Sequence, residues 1–221
     1  MGDRWATFDC YGTLVDWNAG IGGELERLFG VESADVLLAR YHELEREVQL
    51  SEPSASYRDV LTISLIRLAG DAGLAVPEGE TNALARSLPS WPVFPDARPS
   101  LEEARERGWR LGILSNTDRD LIDASMEEIG VPFDVAVVAS EISSYKPGLR
   151  HWEAFRTTTG AESLRHVHVA QSLFHDIEPA RRLGIPSIWI NRLRDPDDPR
   201  PSLTLPSLEG LAGALDELVP P

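Results

Sequence analysis

Cysteine occurs only once, as Cys10, so the 221-residue chain cannot form an internal disulfide and reads as a protein of a reducing compartment. Basic residues are short against acidic ones: 21 Lys plus Arg face 36 Asp plus Glu, and the net charge of −15 argues against nucleic acid or an anionic membrane surface as partner. An anionic small substrate would need its own local cationic site. No uncharged apolar run is long enough to span a bilayer, and "MGDRWATFDC" has neither the basic region nor the apolar stretch of a signal peptide, so a cytoplasmic location is expected. Internal repeats and long low-complexity segments are missing too. What is present is the composition of an ordinary globular protein, 42% hydrophobic and 26% charged, at a length that suits one core domain carrying a smaller insert.

Short apolar runs organise the chain. "WATF" before Asp9, "WRLGIL" before Ser115, "VAVVA" over 135–139, "HVHVA" before Gln171 and "SIWI" before Asn191 are rich in β-branched and aromatic residues and predict buried strands. Helical stretches alternate with them. Ser100 to Arg107 opens on a capping box of Ser100 with Glu103, Asp118 to Ile129 stops at Gly130, and Ile177 to Leu183 stops at Gly184. This alternation predicts an α/β fold: a doubly wound parallel sheet whose ligands bind beyond the carboxyl ends of the strands. Asp9, Ser115 and Gln171 all fall at such ends. Residues 15–91 break the rhythm with all-helical stretches near Asn18 to Phe29, Ser33 to Gln49 and Tyr57 to Ala69, before "PSWPVFPDARP" returns the chain to the sheet. The expected organisation is a core of residues 1–14 and 92–221, with a helical cap at 15–91. The tail "RDPDDPRPSLTLPSLEG" reads as a proline-rich loop without chemistry.

In this order, "DCYGT", "LSN", "YKP" and "SLFHD", with a helical insert after the first, resemble the haloacid dehalogenase superfamily over nearly the whole chain. The resemblance implies a Rossmann-like core with an inserted helical cap, and Asp9 as a nucleophile that forms a covalent aspartyl intermediate. From the residues alone, a carboxylate at a strand end followed by Gly12 in a tight turn is well placed for such an attack. Phosphatases of the superfamily carry a second aspartate two residues after the nucleophile, as acid for the leaving group. Here that position is Tyr11, whose unperturbed pKa of about 10 makes it a poor acid near neutral pH. The L-2-haloacid dehalogenase branch has "D-x-Y-G-T" there, and a departing halide needs no proton. Gln171 stands where phosphatases place a magnesium-binding acid, so no metal and no cofactor are expected. Gln171 and Leu173 also depart from the serine and asparagine of known dehalogenases.

The same resemblance implies roles for further residues. Thr13 would hydrogen-bond Asp9; Lys146 would offset the charges of Asp9 and Asp176; Ser115 and Asn116 would bind the substrate carboxylate or the leaving halide. Trp152 stands where the dehalogenases have tyrosine and is read as packing. Leu37, Tyr41, Leu44 and Val48 form one apolar stripe, and Arg40 at its flank is expected to reach into the cleft, where the family has an arginine in a similar pattern. Cys10 reads as a small packed side chain. His166 and His168 are expected on opposite sides of their strand, His175 is a candidate pocket residue, and Trp17, Tyr57 and Trp91 are aromatic candidates for core or pocket. Together these residues read as a hydrolase that converts short 2-halocarboxylic acids to 2-hydroxy acids, with a small anionic substrate as partner and homodimerisation left open. The alternatives are a magnesium-dependent phosphatase, hydrolysis of a strained C–N bond by the same nucleophile, and a non-catalytic binding protein that retains the fold.

Overall fold

A computed structural model describes residues 2–221. Six strands, β1 (Arg4–Phe8), β2 (Trp109–Ser115), β3 (Val135–Val138), β4 (His166–Ala170), β5 (Ser187–Ile190) and β6 (Leu203–Leu205), make one sheet in the order β3-β2-β1-β4-β5-β6. Every pairing is parallel. All five residues of β1 are buried, as a central strand covered on both faces requires. Phe8, Ile113, Val169 and Ile188 form the middle of the core with no exposure. The strand order reverses between β1 and β4, so the loops after these two neighbours open a crevice at their carboxyl ends.

Between β1 and the first core helix run α1 (Trp17–Phe29), α2 (Val31–Ser51), α3 (Tyr57–Asp71) and α4 (Ala83–Ser87). The core then continues with α5 (Ala97–Glu106), α6 (Arg119–Ile129), α7 (Ala139–Ile142), α8 (Arg150–Thr159), α9 (Glu178–Arg182) and α10 (Leu211–Leu218). The two connections to the helical segment are laced together: Asp16 N–H donates to Pro92 O at 2.7 Å and Phe94 N–H to Leu14 O at 2.9 Å. A core side chain also caps the segment. Asp118 accepts from the Tyr57 and Arg58 N–H groups at 3.0 and 3.1 Å, satisfying two of the donors that the first turn of α3 leaves without partners.

Local expectations fail in three places. α5 begins at Ala97, so Ser100 lies inside the helix, and its hydroxyl donates to Leu208 O at 2.8 Å; the capping box does not form. The tail carries β6, a three-residue edge strand too short to show an alternating pattern. His166 and His168 share one face of β4, because residues two apart on a strand point the same way; both reach Thr7 Oγ1, at 2.6 and 2.8 Å.

Two glycines of α1 have opposite surroundings. A Cβ on Gly20 would lie 2.3 Å from the Trp91 ring, whereas one on Gly23 meets nothing within 4 Å. Gly20→Ala should therefore destabilise the protein by about 1–3 kcal/mol through overpacking. Gly23→Ala should stabilise it by about 0.5–1 kcal/mol through restriction of the unfolded chain. Urea midpoints that move in the same direction for both variants would refute the close contact.

Candidate active site

Four loops at the carboxyl end of the sheet converge on Lys146. Its Nζ donates to Asp9 Oδ1 at 2.8 Å, to Asp176 Oδ1 at 2.6 Å and to Leu114 O at 2.8 Å, which uses all the protons of the ammonium. Asn116 fixes the backbone of that lysine from both sides: its Oδ1 accepts from Lys146 N–H at 2.6 Å and its Nδ2 donates to Lys146 O at 3.1 Å. One Asn116 N–H remains for the cavity, and Ser115 Oγ beside it is buried without a partner. The Thr13 hydroxyl donates to Asp9 Oδ2 at 3.0 Å and accepts from Gln171 N–H at 3.0 Å, joining the first loop to the fourth. The turn carrying Asp9 requires Gly12, whose φ of 90° lies in the region that L side chains avoid, and Gln171 Oε1 would lie 3.5 Å from any Cβ there.

The charges separate by environment. Burial works against ionising Asp176, but Lys146 and the hydrogen bond from His168 outweigh it and hold this carboxyl below its ordinary range. Burial is the dominant effect at Asp9 and raises its pKa, with Lys146 opposing. Lys146 is buried too, yet its two carboxylate partners keep it charged and its pKa raised. His168 Nε2 lies 3.0 Å from Asp176 Oδ1, and Thr7 Oγ1 lies 2.8 Å from His168 Nδ1 and 2.6 Å from His166 Nε2, a buried chain of hydrogen bonds. Burial, with His168 adding to it, lowers His166 to about 3, so this chain ends in a neutral ring. Asp176 Oδ2 is left buried and unpartnered at the cavity floor.

Above these groups lies a cavity of about 390 Å³. Tyr11 lines it, stacked on Tyr57 with centroids 6.1 Å apart, and its hydroxyl is turned to Ser125 Oγ at 3.1 Å. Burial pushes this phenol far above its ordinary pKa, so it keeps its proton. Trp17, Tyr57, Leu173 and His175 also line the cavity, while Trp91 is core at 4% exposure. His175 is held neutral by burial, at about 4, and its Nδ1 pairs with Ser172 Oγ at 3.0 Å. Cys10 is fully buried with a raised pKa and packs as a small apolar side chain, and Trp152 is packed in the core against His168.

Arg40 is not in the cavity. It lies on the outer surface, where it pairs with Glu43 at 2.8 Å, Glu47 at 3.3 Å and Asp71 at 3.0 Å. The opposite flank of the α2 stripe faces the site instead and supplies His42, Glu45, Arg46 and Gln49. These recur at helical spacing, so the signal was present in the sequence as a polar stripe beside the apolar one. Arg46 has no ion-pair partner among the described residues and lies over the Phe174 ring at 5.3 Å. Arg192, a further cation of the lining, is committed to Asp96 at 2.9 Å and to Thr13 O at 3.0 Å. The residues do not fit a magnesium centre: Asp9 and Asp176 share one ammonium, and among the described residues no group of three His, Cys, Asp or Glu side chains converges.

Glu45 is 6% exposed and burial raises its pKa to about 7, with Tyr57 and Gln49 opposing. A carboxyl whose folded pKa lies above its ordinary 4.5 binds a proton that the unfolded chain has already lost, so its effect on stability worsens as pH rises from about 4.5 to 7. Glu45→Gln should therefore gain stability relative to the native chain across that window, by about 3 kcal/mol at pH 8 compared with pH 4. A difference in urea midpoints that is independent of pH would count against a buried, protonated Glu45.

The profile of the haloacid dehalogenase-like hydrolases matches residues 4–184. The (S)-2-haloacid dehalogenase of Pseudomonas sp. (strain YL) is 29% identical over 196 residues, which cover 84% of this chain and 81% of that protein. The phosphoserine phosphatase of Thermus thermophilus is 26% identical over 175 residues, 78% of this chain and 70% of its own. Among solved structures, the L-2-haloacid dehalogenase of Xanthobacter autotrophicus with covalently bound chloropropionic acid superposes with a TM-score of 0.84 at 18% identity, over 97% of this chain and 98% of that one, a likeness of fold. The profile spans the helical segment and all four loops that meet at Lys146, and so this chain belongs to the haloacid dehalogenase-like hydrolase family.

Proposed function

We propose that the protein is a hydrolytic dehalogenase of 2-halocarboxylic acids. The observation that carries this reading is the sharing of Lys146 Nζ between Asp9 and Asp176 beneath a cavity in which Tyr11 stands at the place of the phosphatase acid, with its hydroxyl turned to Ser125. The (S)-2-haloacid dehalogenase relatives support it. In the first step a carboxylate oxygen of Asp9 attacks the α-carbon; the new C–O bond forms as the C–halogen bond breaks, and its electron pair leaves with the halide. No proton is transferred, consistent with the lack of an acid at Tyr11. Water then attacks the ester carbonyl of Asp9 and gives up a proton to Asp176 through the unpartnered Oδ2. On collapse the C–O bond to the substrate breaks, the departing alkoxide takes that proton from Asp176 to become the 2-hydroxy acid, and the Asp9 carboxyl loses the water's second proton to solvent, which restores its carboxylate. Lys146 holds the two carboxylates apart in role: the better-paired Asp176 stays ionised as base while Asp9 reacts.

Substrate charge is met by the Ser115 hydroxyl, the spare Asn116 N–H and, from the helical segment acting as a cap, Arg46. Arg46→Ala should lower kcat/KM for 2-chloropropionate by about tenfold or more. Arg40→Ala should leave it unchanged, because its three acidic partners hold it outside. The opposite pattern would return Arg40 to the site.

The covalent route has its own test. Asp9→Asn should abolish halide release with a near-native urea midpoint, and a single turnover of the native enzyme in excess, in ¹⁸O-labelled water, should place label in Asp9 before product. Label in product alone would exclude the ester.

The phosphatase alternative rests on the phosphoserine phosphatase relative. Exhaustive EDTA treatment should leave halide release intact. Phosphate release from a generic phosphate ester that EDTA stops and magnesium restores would replace the dehalogenase reading.

A further inference from the structure

Unpartnered polar atoms occur both at the cavity floor, on Ser115 and Asp176, and in its roof. Lys146 and Asp9 have complete sets of partners, but the roof, built by neighbouring helices α1 and α2, carries Trp17 Nε1, Asn18 Oδ1, His42 Nε2 and Glu45 Oε2, each buried without a hydrogen bond. All four residues line the same space. The Glu45 side chain is more than nine-tenths buried; its Oε1 accepts from Gln49 Nε2 at 3.1 Å, and its Oε2 has no hydrogen-bond partner. Trp17 and His42 stack at 4.4 Å with an 18° interplanar angle, so the indole N–H and the imidazole edge are held by packing. Orphaned polar atoms that come together in one cavity are met by water or by a ligand, and a ligand that reproduces their bonds displaces that water at little cost.

We infer that this roof is a specificity subsite for an uncharged, hydrogen-bonding group on the substrate's tail, a carboxamide or a hydroxyl. Its donor and acceptor inventory sets the chemistry. Trp17 only donates and Asn18 Oδ1 only accepts, so the tail must do both. Trp17 and Asn18 are neutral, and burial lowers the His42 pKa and raises that of Glu45 to about 7, so the set offers hydrogen bonds rather than charge. Purely alkyl tails would leave all four atoms unsatisfied after expelling the water. The cavity, at about 390 Å³, has room for more than a two- or three-carbon acid. This inference rests on the dehalogenase reading for the reacting end of the substrate and adds the identity of the far end.

The test compares two shape-matched acids, 2-chloro-3-carbamoylpropionate and 2-chloro-4-methylpentanoate, which differ by a carboxamide in place of an isopropyl group. The native enzyme should favour the carboxamide by about tenfold or more in kcat/KM, the penalty expected when a polar subsite receives an apolar isostere. Trp17→Phe, which keeps the stack and loses the N–H, and Glu45→Leu should each bring the ratio toward one. Equal or reversed preference in the native enzyme, or an unchanged ratio in both folded variants, overturns the subsite. Calorimetric binding of the corresponding 2-hydroxy acids is the second arm and needs no turnover. If neither chloro acid releases halide, the dehalogenase reading fails alone; the carboxamide product binding about tenfold tighter than its isopropyl counterpart then still supports the subsite, and equal binding removes it.

Discussion

A single buried ammonium holds the site together. Lys146 is 2% exposed, and a charge so far from water is tolerated only when each of its protons is bonded and opposite charge is adjacent. Leu114 O, Asp9 and Asp176 meet that demand, and they come from the end of β2, the end of β1 and the turn after β4. The dependence runs both ways. Without the lysine, Asp9 and Asp176 would be buried carboxylates facing one another, and at least one would take up a proton near neutral pH. Fold and chemistry therefore share one electrostatic constraint: the loops must close on Nζ for the site to be charged, and the site must be charged for the loops to close.

The parallel sheet makes that convergence cheap. Adjacent parallel strands deliver their carboxyl ends to one edge, so residues as far apart as Asp9 and Asp176 become neighbours through the β1–β4 pairing. The same register sets Thr7 beside His168 and builds the buried chain from His166 to Asp176 beneath the reacting groups. Such a chain directs one oxygen of Asp176 inward and leaves the other for the cavity. On the upper side, Asp118 at the start of α6 caps α3, and the position of the helical segment over the crevice thereby acquires a polar anchor from the core.

Floor and roof consequently play different parts. At the floor, Lys146 and Asp9 already have their partners and do not have to rearrange when charge moves, which is the condition for efficient electrostatic stabilisation. A roof with open hydrogen-bonding positions discriminates by what enters it.

The strands, their alternation with helices and the place of Asp9 at a strand end were legible in the sequence from short apolar runs, while Thr13, Lys146 and Asp176 were indicated by the resemblance of their motifs to a known family; the structure joins the four in one chain of contacts through Asp9 and Lys146. Helices over 17–29, 31–51 and 57–71 were likewise visible from composition and periodicity. What the chain alone left open was the direction in which helices face. The stripe Leu37, Tyr41, Leu44 and Val48 is buried as its spacing predicts, but it has two flanks, and a periodic pattern cannot say which of them meets the cleft. Packing of α2 between α1 and α3 turned Arg40 outward to Asp71 and Glu45 inward to the cavity. The strand-end position of Asp9 was thus set by local sequence, whereas which side chains of α2 line the cavity was decided only by tertiary packing, because the rotation of a helix about its own axis depends on its neighbours.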